Sequence, residues 1–140
     1  MANEIALTEA KIAAVFPRQA EIYDLVAGVA IAKGEAVYID SNGHAGVADA
    51  NAAGYQQFRG IALNAAGIGQ AVSVLKRGHI YGFTVSGMAY DAVAYLSDTA
   101  GDLSTAVGTM TVNCGRVVPL SDNDHTKVLY VEADWLRTWA

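Results

Sequence analysis

Apolar residues in this chain fall mostly in short alternating runs separated by glycine and small polar residues, the pattern of half-buried β-strands. From Glu21 the positions Tyr23, Leu25, Ala27, Val29 and Ile31 share one face, and Lys33-Gly34 then turns the chain into Ala36 to Asp40. The Asn42-Gly43 pair predicts a tight hairpin in which both central residues take positive φ. Residues 49–57 are small and polar and read as an exposed loop before a strand from Phe58 to Leu63. Asn64 to Gly69 is a further turn, Val72 and Val74 resume the alternation, and a separate strand is expected from Gly78 to Ser86. There His79, Tyr81, Phe83 and Val85 face one way, and Ile80, Gly82 and Thr84 the other. Beyond the break at Gly87 to Ala89, strands are expected at 92–97, 109–114, 115–120 and 127–131, with turns at 98–102 and 121–125.

The spacing of these blocks repeats. Lys33 to Leu75 holds Ala36-Val37-Tyr38-Ile39-Asp40-Ser41, Arg59-Gly60-Ile61-Ala62 and Ala71-Val72-Ser73-Val74. Tyr90 to Val131 holds Val93-Ala94-Tyr95-Leu96-Ser97-Asp98, Gly115-Arg116-Val117-Val118 and Lys127-Val128-Leu129-Tyr130-Val131. One unit used twice would let each copy cover the sheet face that the other leaves open. The pattern therefore predicts a mostly β protein, a small β-barrel or sandwich of eight to eleven strands built from two similar units. The β domain is expected over 21–132, with pseudo-repeats at 33–75 and 90–131.

Short extensions flank that domain. In the N-terminal arm, 1–20, Thr8 is placed to cap a short helix running to about Val15, and Ile5, Leu7, Ile12 and Phe16 need a surface to cover them. The C-terminal tail, 133–140, carries Trp135, Leu136 and Trp139 at helical spacing, and each Trp presents upwards of about 150 Å² of side chain that is costly to leave wet. Two readings stay open for both ends: they lie over their own barrel, or they reach a neighbouring subunit.

Composition changes this picture in one respect. Charged residues are only 16% of the 140 and hydrophobic residues 53%, so the surface is weakly hydrated and suited to packing against neighbours. A formal charge of -5 with scattered basic residues argues against a nucleic-acid partner. No apolar run is long enough for a membrane-spanning helix and Met1-Ala2-Asn3-Glu4 does not start a signal peptide, so a soluble, non-exported chain is expected. Cys114 is the only cysteine and reads as a small buried hydrophobe between Val112 and Val117.

Candidate chemistry is sparse. His44, His79 and His125 have no second ligand at a metal-binding interval, and Asp122-Asn123-Asp124 lacks the glycine and closing glutamate of a calcium loop. No Gly-x-Ser-x-Gly surrounds a serine, and Gly67-Ile68-Gly69 precedes no helix able to cradle a phosphate. No cofactor, metal or catalytic residue is expected, and the chain reads as a non-enzyme. Two other functions are open to it. In one, Tyr81, Phe83, Tyr55 and His79, with Gln56 and Gln57, form a carbohydrate- or small-ligand-stacking platform; in the other, His79 or His125 acts as a base.

The runs Glu21-Ile22-Tyr23-Asp24, Ile31 to Tyr38, Phe58 to Leu63, Val93 to Gly101 and Gly115 to Val118 together resemble the capsid decoration, or cement, proteins of tailed bacteriophages. The likeness is a cadence of apolar and glycine positions over about 20–132. It implies a β-tulip or β-clip barrel, a homotrimer, a location on the outer surface of the virion after synthesis in the host cytoplasm, and the major capsid protein as partner. It assigns no contact residues. From their apolar character, Ile5, Leu7, Ile12, Phe16, Trp135 and Trp139 are the expected capsid or subunit contacts; neither nucleic acid nor membrane is expected as a partner.

Overall fold

A computed structural model describes residues 4–120 and 126–139. Ten strands form among these residues: β1 (Ala13–Ala14), β2 (Glu21–Val26), β3 (Ala36–Ile39), β4 (Ala45–Val47), β5 (Gly60–Ala62), β6 (Ala71–Tyr81), β7 (Val93–Leu96), β8 (Leu103–Ser104), β9 (Asn113–Pro119) and β10 (Lys127–Glu132). The protein is mostly β, as the alternating pattern predicts, and among the described residues the one helical element is a 3₁₀ turn, Glu9–Lys11.

The ladders between these strands are antiparallel, in the order β4-β3-β5-β6-β10-β9-β7-β8, and one isolated bridge, Ala27 to Ala45, is parallel. Read outward from the β6·β10 pair, each half runs fourth strand, third strand, then a hairpin. The sheet curls until its ends meet: Ala36 donates its N–H to the Gly101 carbonyl at 2.9 Å, and Gly101 donates to Ala48 at 2.7 Å. Ala50 donates to Ser97 at 3.1 Å, and Met110 to Ala50 at 3.1 Å. The result is a barrel-like body. Inside it Phe58, Ile61, Leu75, Ile80, Leu96, Leu103, Val112, Val117 and Leu129 are almost fully buried, drawn from both halves. A smaller cluster, with Ile31, Val37, Val72 and Val74, lies under the first half.

β6 is the strand on which this arrangement turns. Its first half is held between β5 and β2, and its second half between β10 and β1. The expected break at Gly78 does not occur, and one 11-residue strand replaces two. Glycine serves here for close approach: a Cβ on Gly78 would press on Ala20, and one on Gly82 would meet Ile12, where the N-terminal segment crosses the strand. Gly82, at φ 107°, also breaks the expected alternation, so Tyr81 is exposed while Phe83 and Val85 are buried.

Other expectations are corrected by competing hydrogen bonds. The helix expected from Thr8 to Val15 shrinks to the 3₁₀ turn, because β1 and Val15 pair with β6 instead, Val15 donating to the His79 carbonyl at 2.9 Å. The hairpin at Asn42-Gly43 forms, but as a longer loop in which only Gly43 has positive φ. Asp40 Oδ1 accepts the N–H groups of Asn42 and His44, each at 2.9 Å, which replaces the two-residue turn. The strand expected from 21 to 31 ends at Val26, since Ala27 and Gly28 turn to bond Gln70 and Ala45. The strands expected at 109–114 and 115–120 are one, β9, whose Cys114 is fully buried as read.

Both extensions lie on their own barrel. Ile5 and Ile12 are buried and Leu7 packs beside them, with Ile5 donating to Leu103 and Thr8 to Gly82, each at 2.8 Å. Trp139 is 7% exposed and Trp135 packs against the main core, without the helix that their spacing predicts. Trp135 Nε1 donates to the Arg59 carbonyl at 2.8 Å, while Trp139 donates its N–H to Gln57 Oε1 at 2.8 Å. The amides of Gln56 and Gln57 donate to the Trp139 carbonyl at 3.1 and 2.9 Å. The 49–57 loop, expected to be exposed, thus buries Ala50 and Gln56 and grips the tail.

Replacing Phe58, at 0% exposure, tests the shared core. Phe58→Ala should lower unfolding stability by about 3–5 kcal/mol, whereas Ile68→Ser at an exposed turn should change it by less than about 0.5 kcal/mol. Urea denaturation of the two variants measures both.

Candidate functional site

Three surface regions group exposed aromatic, backbone or polar groups, apart from scattered exposed residues such as Ile68, Val107 and Leu136. The first is an aromatic row on the outer face of β6 and β10. Phe16, 41% exposed in the Val15–Gln19 turn, meets the His79 ring edge-on with centroids 5.3 Å apart, and His79 in turn meets Tyr130 at 5.1 Å. Tyr81, two residues along β6 from His79, is exposed. Strand geometry puts these side chains on one face, since positions 77, 79 and 81 alternate with buried Gly78 and Ile80.

Charge borders the row. Arg77 reaches Glu21 at 3.1 Å and Glu132 at 3.8 Å, Lys76 reaches Glu21 at 3.6 Å, and Tyr130 Oη donates to Glu132 Oε1 at 3.0 Å. These are exposed pairs, worth little individually in water. They do cancel one another, so the row sits in an almost neutral surround. Burial lowers the His79 pKa below its ordinary 6.5, which keeps the ring neutral at physiological pH. Among the described residues its nitrogens have no hydrogen-bond partner, so no carboxylate orients it as a base. An open groove of about 250 Å³ beside it is lined by Val93, Asn113, Gly115, Arg116, Tyr130 and Glu132.

The second region is the free edge of β2. Five of its six residues are exposed, Ile22, Tyr23 and Val26 at 43%, 52% and 44%; among the described residues β2 forms a ladder only with β6, and a single bridge from Ala27 to Ala45 touches its far end. Tyr23 meets the Trp135 ring edge-on at 5.0 Å. The third is a polar corner where Glu4 Oε2 accepts hydroxyl hydrogens from Ser97 at 2.9 Å and Thr99 at 3.3 Å. Asp98 accepts the N–H and hydroxyl of Thr109 at 2.7 and 3.0 Å. Protein donors already serve these carboxylates, and among the described residues no three His, Cys, Asp or Glu side chains are grouped to hold a metal.

The candidates named from sequence are thereby separated. Of the six expected contacts, Ile5, Ile12 and Trp139 are spent on the chain's own core, Leu7 and Trp135 are part-buried against it, and Phe16 alone stays exposed. The stacking platform loses Phe83 to burial, the Gln56 and Gln57 amides to the tail, and Tyr55 stacks on Tyr38 at 4.8 Å. His44 lies in the β3–β4 loop; His125 and the Asp122–Asp124 loop fall outside the described residues. Sequence reading missed the β2 edge, for which the signal was present: an alternating strand with no lysine or proline among its six residues.

Among known proteins, the chain matches no family model, no curated protein and no solved structure.

The polar corner carries a pH test. Burial, then the negative charge of Glu4, raises the Asp102 pKa above its ordinary 3.8. The folded chain therefore holds that proton more tightly than the unfolded one. The associated stability is fully present below 3.8 and is lost as pH rises through the raised value. Asp102→Asn should raise Tm at pH 7, with the gain shrinking to nothing below about pH 3.8; thermal melts across pH check it.

Proposed function

We propose that this chain is a structural decoration protein that binds the outer surface of a tailed-phage head and stabilises the mature shell, with the major capsid protein as its partner. The observation that carries this reading is the Phe16–His79–Tyr130 row with Tyr81 beside it. It is an aromatic face, part-exposed and charge-balanced, on a sheet whose other side is a packed core. Such a face fits a protein surface, where aromatic anchors dominate binding. A shallow groove of about 250 Å³ is small beside the pockets that enclose most small ligands.

Decoration needs no chemistry. A protein that binds only the expanded lattice stabilises it by mass action, and the effect is multiplied over many sites. The tails act indirectly in this reading: by closing their own barrel they make the body stiff enough to present the row without further ordering cost. The stacking platform is less favoured, because the amides it would use are already bonded to Trp139.

Purified protein should co-sediment with assembled heads, and the pair Phe16→Ser with Tyr81→Ser should reduce occupancy by at least about tenfold while leaving Tm within a few degrees. Full-length protein that ignores heads, or a double variant that coats them as well as the parent, would remove the proposal.

A further inference from the structure

We infer that β2 is a self-pairing strand: two copies of this chain join antiparallel across a two-fold axis at Tyr23, extending the sheet from one molecule into the next. The backbone gives the first step. Ser73 accepts from Leu63 N–H at 2.7 Å and donates its own N–H to Asn64 Oδ1 at 2.7 Å, so both its polar backbone groups point toward the β5 side. Asp24 is the β2 residue opposite Ser73. Its N–H and C=O therefore point the other way, off the edge, and by strand alternation so do those of Ile22; Val26 also faces outward, toward Ala45 of β4. Ala27 agrees, being turned inward to exchange bonds with Gly69 and Gln70 at 2.8 Å. At the far end Ala45 of β4 already bridges to this edge beside Val26, but among the described residues nothing pairs with the outward groups of Ile22 and Asp24, and β2 has neither a proline nor a lysine of its own to discourage a partner.

Register and charge then select the occupant. An antiparallel partner must offer outward groups to outward groups, and a second β2 does so when a two-fold axis passes through a residue position. Within Glu21–Val26 only axes at Tyr23 or Asp24 overlap five residues. The Asp24 axis would set two carboxylates directly opposite, which is unfavourable. The Tyr23 axis instead sets Ile22 opposite Asp24 of the second copy, Glu21 opposite Leu25, and the two tyrosines opposite each other. Two hydrogen-bonded pairs result, Ile22 with Asp24 and the reverse. Glu21 is already neutralised by Lys76 and Arg77 of its own chain, at 3.6 and 3.1 Å, and so brings no unpaired charge to the junction. A groove of about 400 Å³ beside Tyr23, Lys76 and Trp135 lies against the same junction in both copies, as an isologous contact requires. The expected assembly is a dimer, in contrast to the homotrimer that the family resemblance implies.

The junction is separate from the aromatic row, so the two can fail separately. Sedimentation velocity over a concentration series should show a monomer–dimer equilibrium. Ile22→Asp places a carboxylate opposite Asp24 twice per dimer and should weaken association about tenfold, whereas Ile22→Lys at the same exposed position should strengthen it. Tyr23→Cys should give a covalent dimer on mild oxidation, because opposed residues of this pair class bring their Cβ atoms to about 4.5–5.5 Å; Leu25→Cys should not. Cys114 is buried with its thiol pKa pushed well up, so it does not compete. A monomer at every concentration, a trimer, a dimer indifferent to both Ile22 variants, or cross-linking through Cys at 25 and not 23 would overturn the inference. Monomers that still coat heads would remove the pairing and leave decoration; dimers that ignore heads would do the reverse.

Discussion

Both edges of β6 must be filled, and the rest of the structure follows from how they are. A strand of 11 residues in a molecule this small runs from one end of the barrel to the other, and no single neighbour is long enough to satisfy it. Four strands share the work, two from each side. The strand also changes faces. Val72 and Val74 point into the smaller cluster, while Leu75 and Ile80 point into the main core. Val74 and Leu75 face opposite layers by ordinary alternation, and a register shift between Leu75 and Arg77, opposite Ile22 and Glu21, then brings Ile80 onto the same side as Leu75.

The same constraint explains where the ends of the chain go. β1 exists because the far end of β6 would otherwise leave backbone groups of His79 and Tyr81 unpaired on that edge. Holding β1 there brings Ile12 over Gly82 and Ile5 over β8, so the segment that reads as a loose arm becomes a cover. At the other end, Gln57 binds both the N–H and the carbonyl of Trp139, as a strand neighbour would. Burying a Trp is worth about 4–6 kcal/mol by area, against about 1–3 kcal/mol for an orphaned polar group. The latter applies because, among the described residues, Trp139 Nε1 is buried without a partner; the tail stays docked despite it.

The strand content, the two-unit layout of blocks and the burial of Cys114 were legible because each depends on alternation or on one residue's own character. The extents were not. Gly78 looks like a break in a linear reading, but its role is set by Ala20, a residue 58 positions away. Asn42-Gly43 carries a strong turn preference, and the Asp40 carboxylate outcompetes it with two backbone donors. For the candidate site the difficulty was of another kind. Apolar residues near chain ends need cover, which Ile5, Ile12 and Trp139 show, yet periodicity says nothing about whether that cover lies in the same chain. Phe16 could not be told from Ile12 by type, and only the turn at Pro17 swings it outward onto His79.

With the tails committed inward, what the molecule offers to others is a face and an edge of different physical character. The aromatic row offers area and shape, and its neighbours Arg77, Glu21 and Glu132 are already paired, so it gains little from a partner's charge. The β2 edge offers directional hydrogen bonds, which fix register but bury little. Contacts of either kind would be weak alone. Joined by a rigid sheet they act together, because ordering one surface also positions the other and the second contact forms at high effective concentration. A stiff all-β body with low charge is suited to this: the chain loses little freedom on docking, so weak contacts can add rather than be consumed in ordering the molecule.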